Sequence, residues 1–157
     1  MKIVLISIGI MREAPLRELY ERYAARIPHY IPFEQVAIPD IKAARGLTSD
    51  LQKQREGESI LARIAPGDCV VLMDERGREM TSREFAAFID RKSISLSRNL
   101  VFVIGGPYGF SDKVYERADM KMGLSRLTFT HEMARVLTAE QIYRAMTILR
   151  GEPYHHD

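Results

Sequence analysis

The fold class of this chain is decided by the stretch LVFVIGGPYGF, residues 100–110. Residues 100–104 are apolar and rich in β-branched side chains, which is typical of a strand buried on both faces of a parallel sheet. Glycines at 105, 106 and 109 then allow a tight turn, and Ser111 is a favourable residue for the start of a helix. The stretch therefore predicts the strand, turn and helix of an α/β protein.

On either side of this stretch, strand and helix patterns alternate. Apolar runs predict further strands at 2–8, 33–38 and 68–74, while 75–80 fit a charged turn and 124–129 fit a strand or a loop. Helical patterns occur at 14–27, at 51–64, from 81 onward, at 111–118 and at 131–150. This order indicates βαβ units in a mostly parallel sheet with helices on both faces. Since no repeat or long linker divides the sequence, we expect residues 1–157 to form one domain.

Composition favours a folded cytoplasmic protein. Apolar residues make up 46% and charged residues 28% of the chain, far from the composition of disordered segments. The single cysteine, Cys69, cannot form an internal disulfide, which indicates a reducing compartment. The first apolar run is too short for a signal peptide, and no segment has the roughly 20 apolar residues of a membrane helix. We expect a cytoplasmic location and no membrane partner.

Net charge does not decide whether the protein binds nucleic acid. The formal charge is +2, from 23 basic and 21 acidic residues, which gives no strong electrostatic indication of a nucleic-acid partner. A protein that recognises an already folded RNA needs only a local basic patch, so RNA stays possible.

The turn after residue 104 is the first candidate for a ligand site. Ligands of open α/β sheets bind beyond the carboxyl ends of the strands, and the glycines leave no side chain between backbone and ligand. A tight turn without any ligand explains the same glycines equally well. The pattern is neither GxGxxG nor a P-loop, which disfavours dinucleotide and triphosphate chemistry.

The helix predicted at 131–150 has almost no polar face. A surface helix would have one, so this helix must be covered on more than one side. A second copy of the chain across a two-fold axis would cover it, and we therefore expect a homodimer. A central helix within a monomer is the alternative.

Four polar side chains interrupt this helix, and buried charges need partners or ligands: Arg135, Glu140, Gln141 and Arg144. Arg144 either pairs within the chain or reaches phosphate. Asp74, at the end of a predicted strand, is either a catalytic carboxylate or a turn cap. No group of His, Cys, Asp and Glu has metal-ligand spacing, so we expect no metal.

Five short motifs follow one another in an order known from one family. They are FVIGGPYG at 102–109, LSRLTF at 124–129, HEMARV at 131–136, YRA at 143–145 and PYHH at 153–156. Each motif alone is weakly specific, but the five in order are highly specific. Over essentially its whole length, the chain resembles the SPOUT-class large-subunit rRNA pseudouridine-N3 methyltransferase family.

The resemblance implies a C-terminal trefoil knot and a homodimer in which both chains build each active site. It also implies S-adenosylmethionine as the methyl donor, held by the backbone around nine residues: Met73, Gly105, Gly106, Leu124, Ser125, Arg126, Leu127, Thr128 and Phe129. The glycines agree with this role, because they allow close approach of the backbone. A cationic sulfonium also tolerates a neutral, carbonyl-lined pocket better than a basic one.

The implied substrate is a pseudouridine in helix 69 of 23S rRNA, methylated at N3 within the assembled 70S ribosome. The resemblance places Arg144, Tyr154 and His155 at the target base, where Tyr154 could stack and His155 could accept or relay the N3 proton. His131 and Arg135 are implied to lie near the RNA or the partner chain. The protein would mainly position donor and nucleophile.

The chain departs from the family pattern at a few positions. Thr130 replaces a frequent proline before His131, which we expect to relax the turn there, and His156 stands where a basic residue is common. Two other functions are consistent with the sequence. One is a catalytically silent nucleotide-binding or ribosome-docking module, and the other is a methyltransferase of the same class that acts on tRNA.

Overall fold

Five strands form one sheet in the part of the chain that the computed structural model describes, residues 1–41, 46–95 and 97–156. The strands are β1 (Ile3–Ile8), β2 (Phe33–Ile38), β3 (Cys69–Glu79), β4 (Leu100–Ile104) and β5 (Met120–Gly123). The helices are α1 (Ala14–Arg26), α2 (Ser49–Leu61), α3 (Ser82–Ser95), α4 (Asp112–Arg117) and α5 (His131–Leu149). Short 3-10 turns follow α1 at Ile27–His29 and α5 at Pro153–His155.

The strands are arranged in the order β2-β1-β4-β3-β5, and every neighbouring pair is parallel. Ile104 at the end of β4 is level with Ser7 of β1 and with Met73 of β3. The carboxyl ends of β1 and β4 therefore lie side by side, level with the middle of β3, at the place where the glycine-rich turn leaves β4. In open α/β sheets, this is where ligands bind.

Helices cover both faces of the sheet, which confirms the predicted α/β class. Side chains alternate between the two faces along each strand, so Phe102 and Val103 belong to different layers of the core. The Phe102 layer also contains Ile142 of α5, together with side chains of α1 and α3. The Val103 layer contains Ile60 of α2 and Val114 of α4.

The position of α5 explains its apolar sequence. This helix packs between α1 and α3 and against the sheet, so three sides of it are covered within a single chain. The central-helix interpretation thus accounts for most of its apolar surface. The lack of a polar face does not by itself require a second copy of the chain.

Strand boundaries near the carboxyl end of the sheet differ from the prediction. The third strand does not stop at Asp74 but continues to Glu79, because its register on β5 shifts between Met73 and Arg78 and so accommodates a bulge. The last strand is β5, and residues 124–129 form a loop after it. The sequence of β5, MKMG, is too short and too mixed to give a strand signal.

Candidate functional site

A cavity of about 1000 Å³ opens at the carboxyl ends of β3, β4 and β5, beside the N-terminus of α5. This volume is at the upper end of the range for small-molecule sites. Eight of the nine residues expected to hold a cofactor line it: Met73, Gly105, Gly106, Leu124, Ser125, Leu127, Thr128 and Phe129. His131 lines it as well, whereas Arg126 lies outside, in a neighbouring groove with Glu79.

The glycine-rich turn after β4 needs its glycines for steric reasons. A Cβ on Gly105 would be 3.0 Å from the ring of Phe110, and a Cβ on Gly106 would be 2.7 Å from the carboxylate of Glu56. Gly109 has a φ of 78°, a left-handed conformation that favours glycine, and its N–H donates to the carbonyl of Gly106 at 3.2 Å. The turn is therefore packed tightly from behind while its front lines the cavity.

A bulge in β3 forms another wall of the cavity. Met73, Asp74, Glu75 and Arg76 line the cavity here, and the strand then returns to β5 at Arg78. The return depends on the glycine at position 77, where a Cβ would be 2.5 Å from the backbone nitrogen of β5 residue 122. The bulge thus places residues 74–76 at the cavity wall instead of in the ladder with β5.

Asp74 holds this bulge in place. Its Oδ1 accepts a hydrogen bond of 2.9 Å from the N–H of Arg76, and its Oδ2 accepts one of 2.7 Å from the hydroxyl of Tyr115. Burial acts to raise the pKa of Asp74, but these hydrogen bonds outweigh it, so the pKa lies below its usual value. Of the two roles considered for Asp74, the contacts support the turn cap.

The loop at 124–129 closes the cavity on its outer side. The N–H of Leu127 donates to Ser125 Oγ at 3.0 Å, and the Thr128 hydroxyl donates to the carboxylate of Glu75. The side chain of Leu127 is 73% exposed, which is unusual for leucine. Thr130 ends the loop by capping α5, since its Oγ1 accepts from the N–H of Met133 at 3.2 Å. The expected relaxed turn before His131 is thus replaced by a capped one.

Acidic residues outnumber basic ones in the cavity wall. Glu13, Asp74, Glu75 and Glu132 are among the lining residues, against the single arginine Arg76. An excess of negative charge favours a positively charged ligand over a negatively charged one. The wall therefore suits a cation such as a sulfonium better than a phosphate.

Arg135 lies beneath the cavity rather than on its surface. It is only 3% exposed, and its Nη2 donates to the carbonyl of Ile8 and, at 2.7 Å, to the carbonyl of Gly9. Burial lowers the pKa of the Arg135 guanidinium. Within a single chain, Arg135 therefore binds the end of β1 and is not available to RNA.

Arg144, Tyr154 and His155 come together in a second cluster, built by the last turns of α5 and the C-terminal 3-10 turn. The guanidinium of Arg144 lies 4.7 Å from the centre of the Tyr154 ring, and its Nη1 is 3.2 Å from Nδ1 of His155. These three residues, expected together at a substrate base, are thus neighbours in the fold.

Glu140 organises this second cluster. Its Oε1 accepts hydrogen bonds from Arg144 Nη2 at 2.6 Å, from Arg144 Nε at 3.0 Å and from the Tyr154 hydroxyl at 3.0 Å. The hydrogen bonds that Arg144 donates to Glu140 raise the pKa of Arg144, and burial raises the pKa of Tyr154. Tyr154 therefore remains a hydroxyl donor at neutral pH and is unsuited to be the base. Sequence reasoning missed the role of Glu140, although its i,i+4 spacing from Arg144 is a recognisable pairing signal.

Tyrosines surround the second cluster. The ring of Tyr143 is 4.8 Å from that of Tyr154 and 6.0 Å from that of Tyr23 on α1, and Arg26 lies 5.4 Å above Tyr143. Aromatic rings and arginine planes are the groups on which unstacked RNA bases pack. The sequence singled out Tyr154 alone, because the contact with α1 is not visible from spacing.

The cavity and the cluster of Arg144, Tyr154 and His155 lie at opposite ends of α5. His131, at the cavity, and Arg144 are thirteen residues apart on one helix, which corresponds to roughly 20 Å at the usual rise. A single chain therefore does not bring the expected cofactor residues and the expected substrate residues into contact.

Neither a metal centre nor a membrane span is found in the described ranges. No group of three or more His, Cys, Asp or Glu side chains among these residues is placed to hold a metal ion. No helix in this part of the chain has the length and apolar character needed to cross a membrane.

The chain is similar to known proteins over its whole length. The family model described as "Predicted SPOUT methyltransferase" matches residues 1–155. Proteins named "Ribosomal RNA large subunit methyltransferase H" from Parabacteroides distasonis and Porphyromonas gingivalis are each 50% identical to it over 157 residues, 100% of both chains. One of the same name from Bacteroides fragilis is 48% identical with the same coverage. A solved structure, a probable methylase family protein from Haemophilus influenzae, has a TM-score of 0.48 at 14% identity over 95% of this chain and 66% of its own.

Proposed function

The chain belongs to the SPOUT methyltransferase family, and from this premise we propose that it methylates ribosomal RNA with S-adenosylmethionine as donor. The specific target that we propose is N3 of a pseudouridine in helix 69 of 23S rRNA, within the assembled 70S ribosome in the cytoplasm. The observation that carries the proposal is one acidic cavity lined by eight of the nine residues expected to hold the donor. The names of the relatives at about 50% identity support an rRNA substrate.

The cavity fits S-adenosylmethionine in size and charge. Its glycine-rich turn and the loop at 124–129 offer backbone amides and carbonyls, which can hydrogen-bond an adenine without charged side chains. When bound, S-adenosylmethionine supplies a methyl group activated by a positively charged sulfur. The carboxylates of Glu13, Asp74, Glu75 and Glu132 offset that positive charge. We assign donor binding to the nine expected residues, with Arg126 at the outer edge.

We assign the second cluster to the substrate base. Arg144 and Tyr154 are held by one carboxylate, so that the guanidinium and the aromatic ring present a fixed surface to a base. His155, in contact with Arg144, is the candidate to accept the proton that leaves N3. His131 stands at the cavity mouth, where it would contact the RNA or the partner chain.

A homodimer with a C-terminal trefoil knot is part of the proposal. Because the two clusters are roughly 20 Å apart on α5, a second copy that places its own C-terminal cluster beside this cavity would complete the site. A two-fold axis would create two equal sites of this kind. The single domain spans residues 1–157, and Asp157 lies outside the described residues.

One experiment tests substrate, donor and reaction together. Purified protein is incubated with tritiated S-adenosylmethionine and 70S ribosomes from a strain that lacks its own homologous enzyme, and the label is mapped on the RNA. Label at a pseudouridine of helix 69 is the expected result. Ribosomes from the parent strain, already modified, serve as the matched control and should accept almost no label.

Two other outcomes would replace this proposal. Label in free tRNA but not in ribosomes would make the protein a tRNA methyltransferase of the same class. Calorimetric binding of S-adenosylmethionine without transfer to any RNA would make it a silent binding module.

A further inference from the structure

One carboxyl group is buried directly behind the glycine-rich turn. Glu56, on the otherwise polar helix α2, is only 2% exposed. Its Oε1 accepts a hydrogen bond of 3.0 Å from Nε2 of Gln52, whereas Oε2 has no hydrogen-bond partner within the described part of the chain. Burying a carboxylate with so few partners is costly, so its presence here needs a cause.

The carboxyl group of Glu56 lies against the cavity wall from behind. A Cβ on Gly106 would be 2.7 Å from Oε2 and 2.9 Å from Oε1, so the carboxyl occupies the space of the missing side chain. Gly106 itself lines the cavity. A single layer of backbone therefore separates the carboxyl from the space where a ligand binds.

The surroundings of Glu56 oppose its ionisation. Burial raises the pKa of Glu56 above its usual value, the hydrogen bond from Gln52 acts in the opposite direction, and the carboxylate of Asp40 raises it further. Arg12, the cation beside Asp40, is paired with that residue at 3.7 Å. A positive charge on the cavity side of the turn would lower the pKa of Glu56 and so favour its carboxylate form.

We propose that Glu56 makes the cavity selective for a cationic ligand, so that S-adenosylmethionine binds in preference to its product, S-adenosylhomocysteine. This inference rests on the proposed function. The two molecules differ by one methyl group and by the positive charge on sulfur. Both carry the same amino-acid group, but a carboxylate behind Gly106 attracts the sulfonium of the donor and meets no such charge at the thioether sulfur of the product, which should therefore bind more weakly.

The test compares dissociation constants for the two molecules by calorimetry over a pH series from 5 to 8. In the wild-type protein, the preference for S-adenosylmethionine should increase with pH as Glu56 ionises. In Glu56→Gln, which keeps the shape of the neutral acid, the preference at pH 8 should fall by about tenfold and lose its pH dependence. Glu58→Gln removes the same charge from the exposed side of α2 and should behave like the wild type.

A structural role alone would change both affinities by the same factor, and that result would overturn the inference. If Glu56→Gln does not fold, measuring the protons released by the wild-type protein on binding still tests the inference. At the pH where the preference changes, calorimetry in two buffers of different ionisation enthalpy should show release of protons on binding S-adenosylmethionine but not on binding S-adenosylhomocysteine. Equal release would overturn the inference, while failure of both molecules to bind would overturn the proposed function itself.

Discussion

Glu132 and Arg135, three residues apart on α5, hold opposite ends of the same connection between β1 and α1. Glu132 Oε1 accepts hydrogen bonds from the N–H groups of Arg12 at 2.7 Å and Glu13 at 3.1 Å. Arg135 donates to the carbonyls of Ile8 and Gly9 at the start of the connection. One helix turn thus fixes a segment that borders the cavity at Glu13.

Replacing Arg135 by methionine should lower the free energy of unfolding by about 2 kcal/mol. The change leaves two buried carbonyls without their charged donor, and such hydrogen bonds contribute roughly 1.5 to 3 kcal/mol. Urea unfolding followed by circular dichroism measures the loss. Arg91→Met, at an exposed position of α3, is the control and should change stability by less than about 0.5 kcal/mol. Equal stability of both variants would show that the Arg135 contacts contribute nothing.

Arg144→Ala should reduce methyl transfer by about a hundredfold while S-adenosylmethionine binds with nearly unchanged affinity. The reason is that Arg144 lies at the far end of α5 from the cavity and belongs to the substrate cluster. Transfer rates on undermodified ribosomes and calorimetric donor binding measure the two effects separately. Equal loss of both would assign Arg144 to the fold instead of the substrate.

Glu140→Gln should also reduce methyl transfer without weakening donor binding, but the reduction should be smaller, about tenfold. The amide cannot supply the charge that holds Arg144, although its oxygen can still accept from Tyr154. Single-turnover transfer rates are the measurement, with Glu21→Gln on the exposed side of α1 as control. An unaffected Glu140→Gln variant would mean that the cluster needs no carboxylate to keep its geometry.

Gly77→Ala should destabilise the protein by about 2 kcal/mol and weaken donor binding. The added Cβ would meet the backbone of β5 at 2.5 Å, and backbone cannot move aside as a flexible side chain can. Thermal unfolding and calorimetric donor binding report the two effects. Ser97→Ala, at an exposed position away from the sheet, should leave both unchanged. A stable, binding-competent Gly77→Ala variant would contradict the close contact between β3 and β5.

Asp74 should contribute to stability at neutral pH and lose that contribution in acid. Its folded pKa is lower than its usual 3.8, so the stabilisation is present above that value and disappears as the pH falls through the folded pKa. Asp74→Asn should therefore cost about 1 kcal/mol at pH 7 and almost nothing at the acid limit. Urea unfolding from pH 7 down to pH 2 is the measurement. A constant difference across that range would mean that ionisation of Asp74 does not matter.

The sequence predicted the fold class and a ligand site at the glycine-rich turn for identifiable physical reasons, whereas the grouping of Arg144, Tyr154 and His155 was implied by the family resemblance. The apolar run of β4 and the glycines after it are local signals, and they define a strand and its turn without reference to the rest of the chain. The buried strands and capped helices have similar local signals, such as Thr81 and Glu84, whose side chains each accept from the other's backbone N–H at the start of α3.

The features that were missed depend on contacts between distant segments. The bulge of β3 is set by Gly77 against β5, which lies more than forty residues further along the chain. The sequence indicates that Arg135 needs a partner, but that the partners are the carbonyls at the end of β1 becomes visible only when β1 is placed beside α5. Glu56 lies on a polar helix with a weak apolar pattern, so its contact with Gly106 has no signal in the spacing.

The cavity lies at the first turn of α5, and the Arg144 cluster lies near its last. The length of this one helix therefore fixes the distance between the two sites. Each residue added within it would advance the far cluster by about 1.5 Å and rotate it by about 100° around the axis. A single insertion before Arg144 would rotate Arg144 and Tyr154 of the tail together away from Tyr23 of α1. Even an insertion of two full turns, which restores the angle, would lengthen the span by roughly 10 Å. Loops elsewhere can vary in length without this penalty, so changes in chain length between related proteins should avoid α5.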